Sequence, residues 1–149
     1  AFTVEYLVKN KAEVNVSDNH GLTPLHWAAS KGLERTVGFL LKGGADVDRP
    51  DDRGRNALHM AALTRSRITQ GLLCEANPKA VNRQDCNGFY PLHYAAFNGD
   101  EKLCTFLLKS MDDVAEMPTS DVRRAITPLH LAAMRNMAKP LLPLAEAVK

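Results

Sequence analysis

The chain has 149 residues, 45% of them apolar and 24% charged, with a formal net charge of +2. That balance belongs to a globular domain with its own core and excludes disorder and collagen-like repetition. Basic and acidic side chains are nearly equal in each third of the chain, so neither a nucleic-acid duplex nor an anionic membrane is expected as the main partner.

The chain opens on Ala1-Phe-Thr-Val-Glu5, without a basic region and apolar stretch, and no later segment approaches the roughly 18 apolar residues of a bilayer span. Val4, Leu7 and Val8 predict a first helix. Asp18-Asn-His-Gly21 then reads as a turn, in which the aspartate bonds its own backbone and glycine supplies a left-handed dihedral. Thr23 is a helix cap and Pro24 fits the first helical position, with Leu25, Ala28 and Ala29 on one narrow apolar face. Gly32 ends that helix, and Leu33, Val37, Leu40 and Leu41 predict a second.

The same order recurs. Asp51-Asp-Arg-Gly54 precedes Asn56-Ala-Leu-His-Met-Ala-Ala62, and Asp85-Cys-Asn-Gly88 precedes Tyr90-Pro-Leu-His-Tyr-Ala-Ala96, which Gly99 ends before Leu103, Leu107 and Leu108. A last copy runs Thr127-Pro-Leu-His-Leu-Ala-Ala133, with a weaker second helix at Leu141 and Leu144 interrupted by Pro140 and Pro143. Three departures stand out: Arg65 occupies the place of Gly32, two residues are inserted around Asn77-Pro-Lys79, and the stretch 112–125 is longer, with Ala125 where the other turns have glycine. A surface insertion is the expected reading of the last.

The four heptapeptides, with histidines 33, 34 and 37 residues apart, resemble the ankyrin repeat, whose signature is a T-P-L-H-x-A core at a period near 33. The resemblance covers the whole chain. It implies an all-α solenoid of stacked helix-turn-helix units with β-hairpin finger loops, in one domain: a partial repeat at 1–17, repeats at 18–50, 51–84 and 85–121, and a last, partial repeat at 122–149. One such pair of helices cannot bury its own apolar stripe, whereas a stack can. Since the pattern starts partway through a unit and residue 1 is not Met, a longer parent chain is expected.

The resemblance also implies a concave groove that binds a protein or peptide. Carried over position by position, the groove takes Asn19, His20, Leu22, Ser30 and Lys31, then Asp52, Arg53, Arg55, Leu63 and Thr64, then Cys86, Asn87, Phe89, Phe97 and Asn98. The last unit contributes Met134 and Arg135, with Arg123, Arg124 and Ile126 in its altered finger. Tyr90 stands where a capping threonine is expected, which places a ring and a hydroxyl near Phe89. The partner expected is an apolar anchor received between Phe89 and Phe97, with an acidic flank steered by Arg53, Arg55 and Arg135. Trp27, Met60, Tyr94 and Leu131 share one helical position and are expected in the core between repeats.

Chemistry is not expected. His26, His59, His93 and His130 are repeat residues that stacking sets about 10 Å apart, so they do not converge on a metal, and only His20 lies on a fingertip. No nucleophile, phosphate-loop or zinc-protease motif occurs, and Cys74, Cys86 and Cys104 form no ligand pair. The expectation is a non-catalytic, monomeric protein-binding module without cofactor or metal, intracellular and cytoplasmic with the nucleus left open. The alternative is an intramolecular role, holding or inhibiting another domain of a longer chain; only then would this segment bind the rest of its own chain. Nucleic-acid binding is a weaker third class, because aspartates interleave with the arginines.

Overall fold

The computed structural model describes residues 2–111 and 127–134. Its α-helices are α1 (Phe2–Lys9), α2 (Pro24–Ser30), α3 (Glu34–Lys42), α4 (Ala57–Ala62), α5 (Arg67–Ala76), α6 (Pro91–Asn98), α7 (Glu101–Ser110) and α8 (Pro128–Met134), with a short 3-10 helix at Pro78–Asn82. They form two layers. The first helices of each pair pack in the order α2, α4, α6, α8, while α1, α3 and α5 pack in sequence behind them.

Each first helix is started by chemistry local to it. The Thr23 hydroxyl accepts the His26 amide at 3.4 Å, while Nδ1 of His26 accepts the Thr23 amide at 3.1 Å. Asn56 and His59 make the same reciprocal pair at 3.1 Å each. Because Nδ1 is thus an acceptor, Nε2 carries the ring hydrogen and donates to a carbonyl of the next finger. His26 reaches the Arg55 oxygen at 3.0 Å and His59 the Phe89 oxygen at 2.9 Å. His26 and His59 are thus structural pins between units.

The fingers are turns built on one aspartate each. Oδ1 of Asp51 accepts the amides of Arg53 and Arg55 at 2.9 and 2.8 Å, and Asp18 and Asp85 hold their turns in the same way. Neighbouring fingers are joined by single backbone bonds, Asp52 N–H to the His20 oxygen at 3.1 Å and Cys86 N–H to the Arg53 oxygen at 2.8 Å, and no strand forms among the described residues. That close approach requires glycine. Gly21 has φ +73°, and a Cβ on it would lie 2.8 Å from the Asp52 nitrogen.

The core follows the repeat: Leu25, Leu58 and Leu92 are fully buried with the alanine pairs beside them, as are Val37, Leu73 and Leu107 of the second helices. Leu33 departs from expectation. It is the residue before α3 and is 50% exposed, because the helix begins one position later than the apolar spacing implied. The insertion near Asn77 folds inward rather than looping out: Asn77 caps the 3-10 helix, Ala80 and Val81 are fully buried, and the Ala80 oxygen accepts the Asn56 side-chain amide at 3.0 Å. Residues 112–125, Pro140, Leu141, Pro143 and Leu144 lie outside the described residues.

Candidate partner-binding groove

The groove is lined by the fingers and the exposed flank of the first helices. Between the second and third units it deepens into a pocket of ≈ 290 Å³ walled by Leu63, Asn87, Phe89, His93, Tyr94 and Phe97. The structure therefore brings Phe89 and Phe97 to one cavity. Phe97 is 43% exposed. Phe89 is half-buried and sits against the His93 ring at 5.3 Å and edge-on to Tyr94 at 6.3 Å. Its backbone is fixed twice, by Asp85 Oδ1 on its amide and His59 on its carbonyl.

Of the row expected in the core, Met60 and Tyr94 are partly buried and pack against it, Tyr94 also lining the pocket, whereas Trp27 departs from the expectation. Trp27 is 52% exposed, and its indole donates to Oδ2 of Asp18 at 3.0 Å; Tyr94 donates to Oδ2 of Asp85 at 2.7 Å. Asp18 and Asp85 thus each hold their turn with one oxygen and an aromatic side chain of the following helix with the other. Met60, half-buried at the same position, has no hydrogen to give, and there Arg55 closes on Asp51 Oδ2 through Nε at 2.8 Å and a second guanidinium nitrogen at 2.7 Å. The Leu131 side chain lies outside the described residues.

Arg55 was expected to steer an acidic partner, but its guanidinium is mostly covered and already paired, which leaves it little field to project. Arg53, Asn19, His20, Lys31, Asp52 and Asn87 are exposed along the fingers and helix ends, and Leu22 is half-buried. Tyr90 is also half-buried, and its ring stacks on His93 at 5.8 Å and 14° rather than turning toward Phe89. Met134 ends α8 with its side chain outside the described residues, as are Arg123, Arg124, Ile126 and Arg135. Tyr94, His93 and Leu63 complete the pocket; for Tyr94 the signal was the aspartate nine residues upstream, a spacing Trp27 shares.

Several groups of the fingers and first helices have pKa values displaced from the ordinary ones, each for a local cause. Burial pushes the His59 imidazole down to about 4, and it pushes His26 down as well. Burial, then the bond to Asp85, raises the Tyr94 phenol well above its usual value. Asp18 is held below the usual carboxylate range by the His20 amide and the Trp27 indole. Desolvation opposes the charge on Asp51, but the Arg55 guanidinium and the turn amides outweigh it and lower its pKa. Among the described residues no cluster of histidine, cysteine, aspartate or glutamate could hold a metal, and no helix is long and apolar enough to cross a membrane.

The family model for ankyrin repeats in groups of three matches this chain in three overlapping stretches, 1–82, 28–116 and 66–148. The chain belongs to the ankyrin-repeat family. Members of that family are generally protein-protein interaction modules and typically non-catalytic.

Proposed function

We propose that this chain is a non-catalytic module that binds a protein or peptide through the concave groove, seating an apolar side chain between Phe89 and Phe97. The observation that carries the reading is the pocket itself: apolar walls from Leu63, Phe89 and Phe97, with the Tyr94 ring fixed in place by Asp85. An apolar hollow beside exposed aromatic surface favours a contact site over a solvated face. Arg53, exposed on the second finger, and Arg135 are the cations proposed to face an acidic flank. The proposed repeat limits are 18–50, 51–84 and 85–121, between partial repeats at 1–17 and 122–149.

An intracellular, monomeric protein is the state proposed. The sequence supports the first point: three cysteines make an odd number with no C-x-x-C pair, the usage of proteins in a reducing compartment.

The test is a partner captured by crosslinking from a photoreactive residue at Asn87, followed by Phe97→Ala. Affinity should fall by about tenfold or more with the melting temperature nearly unchanged. Phe89→Ala probes the opposite wall, where Phe89 packs on His93 and Tyr94, and affinity in both variants is taken per folded molecule. Undiminished affinity in Phe97→Ala would remove the pocket from the binding site.

A further inference from the structure

We infer that the layer of second helices carries a separate docking site: a cleft between α5 and α7 that receives an acidic peptide segment of a partner protein, one apolar side chain inserted and carboxylates beside it. The cleft has a volume of ≈ 240 Å³ and is lined by Arg67, Gln70, Gly71, Lys102, Leu103 and Phe106. A shallower hollow of ≈ 220 Å³ continues it past Arg67 and Lys102 toward Arg65, Asp100 and Glu101. None of these residues lines the groove on the first helices, so the inference stands or falls independently of the groove.

The cleft exists because the stack is irregular here. α3 packs directly on α5, whereas α5 and α7 make no comparable approach and the inserted 3-10 helix packs against both. Gly71 opens one wall, where a Cβ would meet nothing within 4 Å. Phe106, which lines the cleft, is 45% exposed, and Ile68, one residue beyond Arg67 on α5, is 57% exposed. The space suits one large apolar side chain.

Charge decides the rest of the ligand. Arg67 is the first residue of α5, at the position where α3 begins with Glu34 and α7 with Glu101. A helix start favours a carboxylate and disfavours an arginine, so this substitution works against the helix while it adds a cation to the cleft. The lining of the deeper part holds Arg67 and Lys102 and no acid. Neither they nor Arg65 form an ion pair among the described residues. Of the two acids in the shallower hollow, Asp100 is engaged internally: Oδ1 accepts the Leu103 amide at 3.1 Å and Oδ2 the Gln70 amide at 3.4 Å. These bonds leave Asp100 charged, so Asp100 and Glu101 stand against three cations over the two hollows, and the excess of positive charge lies in the deeper part at Arg67 and Lys102. A peptide that carries carboxylates on both sides of an apolar residue complements this arrangement, whereas a flat lipid surface could not place a side chain between the helices.

The experiment is an NMR titration of the chain with an acetylated dodecapeptide in which glutamates bracket a leucine-phenylalanine pair, run beside a version with lysines in place of the glutamates. Saturable binding is expected, with amide shifts concentrated at Arg67, Gly71, Lys102 and Phe106. Affinity should fall about tenfold or more in Arg67→Glu/Lys102→Glu, and comparably in Gly71→Leu, which fills the cleft. Lys42→Glu/Lys79→Glu, the same charge change at two exposed positions outside the cleft lining, controls for net charge, and melting curves confirm that each variant folds. Shifts confined to the groove, equal binding of the lysine peptide, or no saturation at millimolar peptide would overturn the inference. Binding to phosphatidylserine vesicles without binding to the peptide would overturn it as well, in favour of a lipid surface.

Discussion

The Tyr94 hydroxyl donates to Oδ2 of Asp85 at 2.7 Å, and this one bond ties the groove-facing side of α6 to the finger that precedes it. The relation is built into the repeat, since Trp27 does the same to Asp18 from the same distance in sequence. A conformational cost follows from losing it, because Asp85 is nearly buried and would keep a charged oxygen without its donor. Tyr94→Phe should therefore destabilise by about 1–2 kcal/mol, read as a fall of a few degrees in melting temperature. Trp27→Phe should cost much less than Tyr94→Phe, since both Trp27 and Asp18 are exposed. Equal losses in the two variants would mean that burial of the aspartate is not what gives the bond its weight.

The buried histidines make stability depend on pH in a definite direction. His59 is fully buried and its pKa is lowered from 6.5 to about 4, so the unfolded chain binds the proton more readily than the folded one. The contribution of the neutral ring is complete above pH 6.5 and is lost as pH falls toward about 4, by roughly 3 kcal/mol at 1.36 kcal/mol per unit. His26 adds a loss of the same sign. Urea unfolding at pH 7, 5.5 and 4.5 should show a steady decline, flatter in His59→Gln. Stability that stays level over that window would contradict the buried neutral tautomer.

Helix starts and the core were legible in the sequence because their chemistry is local: Thr23 with His26, and Asn56 with His59, are three residues apart and fix both the cap and the ring orientation. The nearness of Phe89 and Phe97 was legible by register, and the two line one pocket. What stayed hidden depends on atoms distant along the chain or on competition between neighbours. Trp27 looks like core by helical position yet is half exposed, its indole hydrogen on Asp18, and Tyr94 packs against the core while its hydroxyl finds Asp85. Arg55 looks like a free cation, but its spacing of four from Asp51 across a tight turn closes an ion pair. The residues near Pro78 were legible only as an insertion of two, and the Asn56 side-chain amide bound to the Ala80 oxygen shows how they join the stack.

Two glycines should respond in opposite ways to alanine. Gly21 has φ +73°, and its Cβ would meet the Asp52 nitrogen at 2.8 Å, so Gly21→Ala must strain its own backbone and pull adjacent fingers apart. A loss of about 1–3 kcal/mol is expected. Gly38 lies inside α3, with nothing within 4 Å of an added Cβ. Gly38→Ala should therefore stabilise by about 0.5–1 kcal/mol through helix propensity alone. Equilibrium denaturation of the two variants checks the signs; a neutral Gly21→Ala would show that the fingers can separate without cost.

Thiol chemistry offers a direct readout of the fold. Cys86 is exposed on the third finger, whereas Cys74 and Cys104 are buried in α5 and α7. Burial raises the Cys104 thiol to about 12 and the Cys74 thiol to about 11, with Asp100 and Glu75 respectively adding to the shift. Since the thiolate is the reactive form, both should be protected twice over, by access and by ionisation. A short iodoacetamide pulse at pH 7.5 should alkylate Cys86 alone, and the same pulse in urea should alkylate all three, counted by mass spectrometry of the tryptic peptides. Lowering the pH toward 4.5 should bring Cys74 and Cys104 into the labelled set during a longer pulse with an acid-tolerant thiol reagent, because protonation of His26 and His59 weakens the pins between units. If either buried thiol reacts as fast as Cys86 at pH 7.5, the second-helix layer opens natively, and the closed packing around α5 and α7 would have to be abandoned.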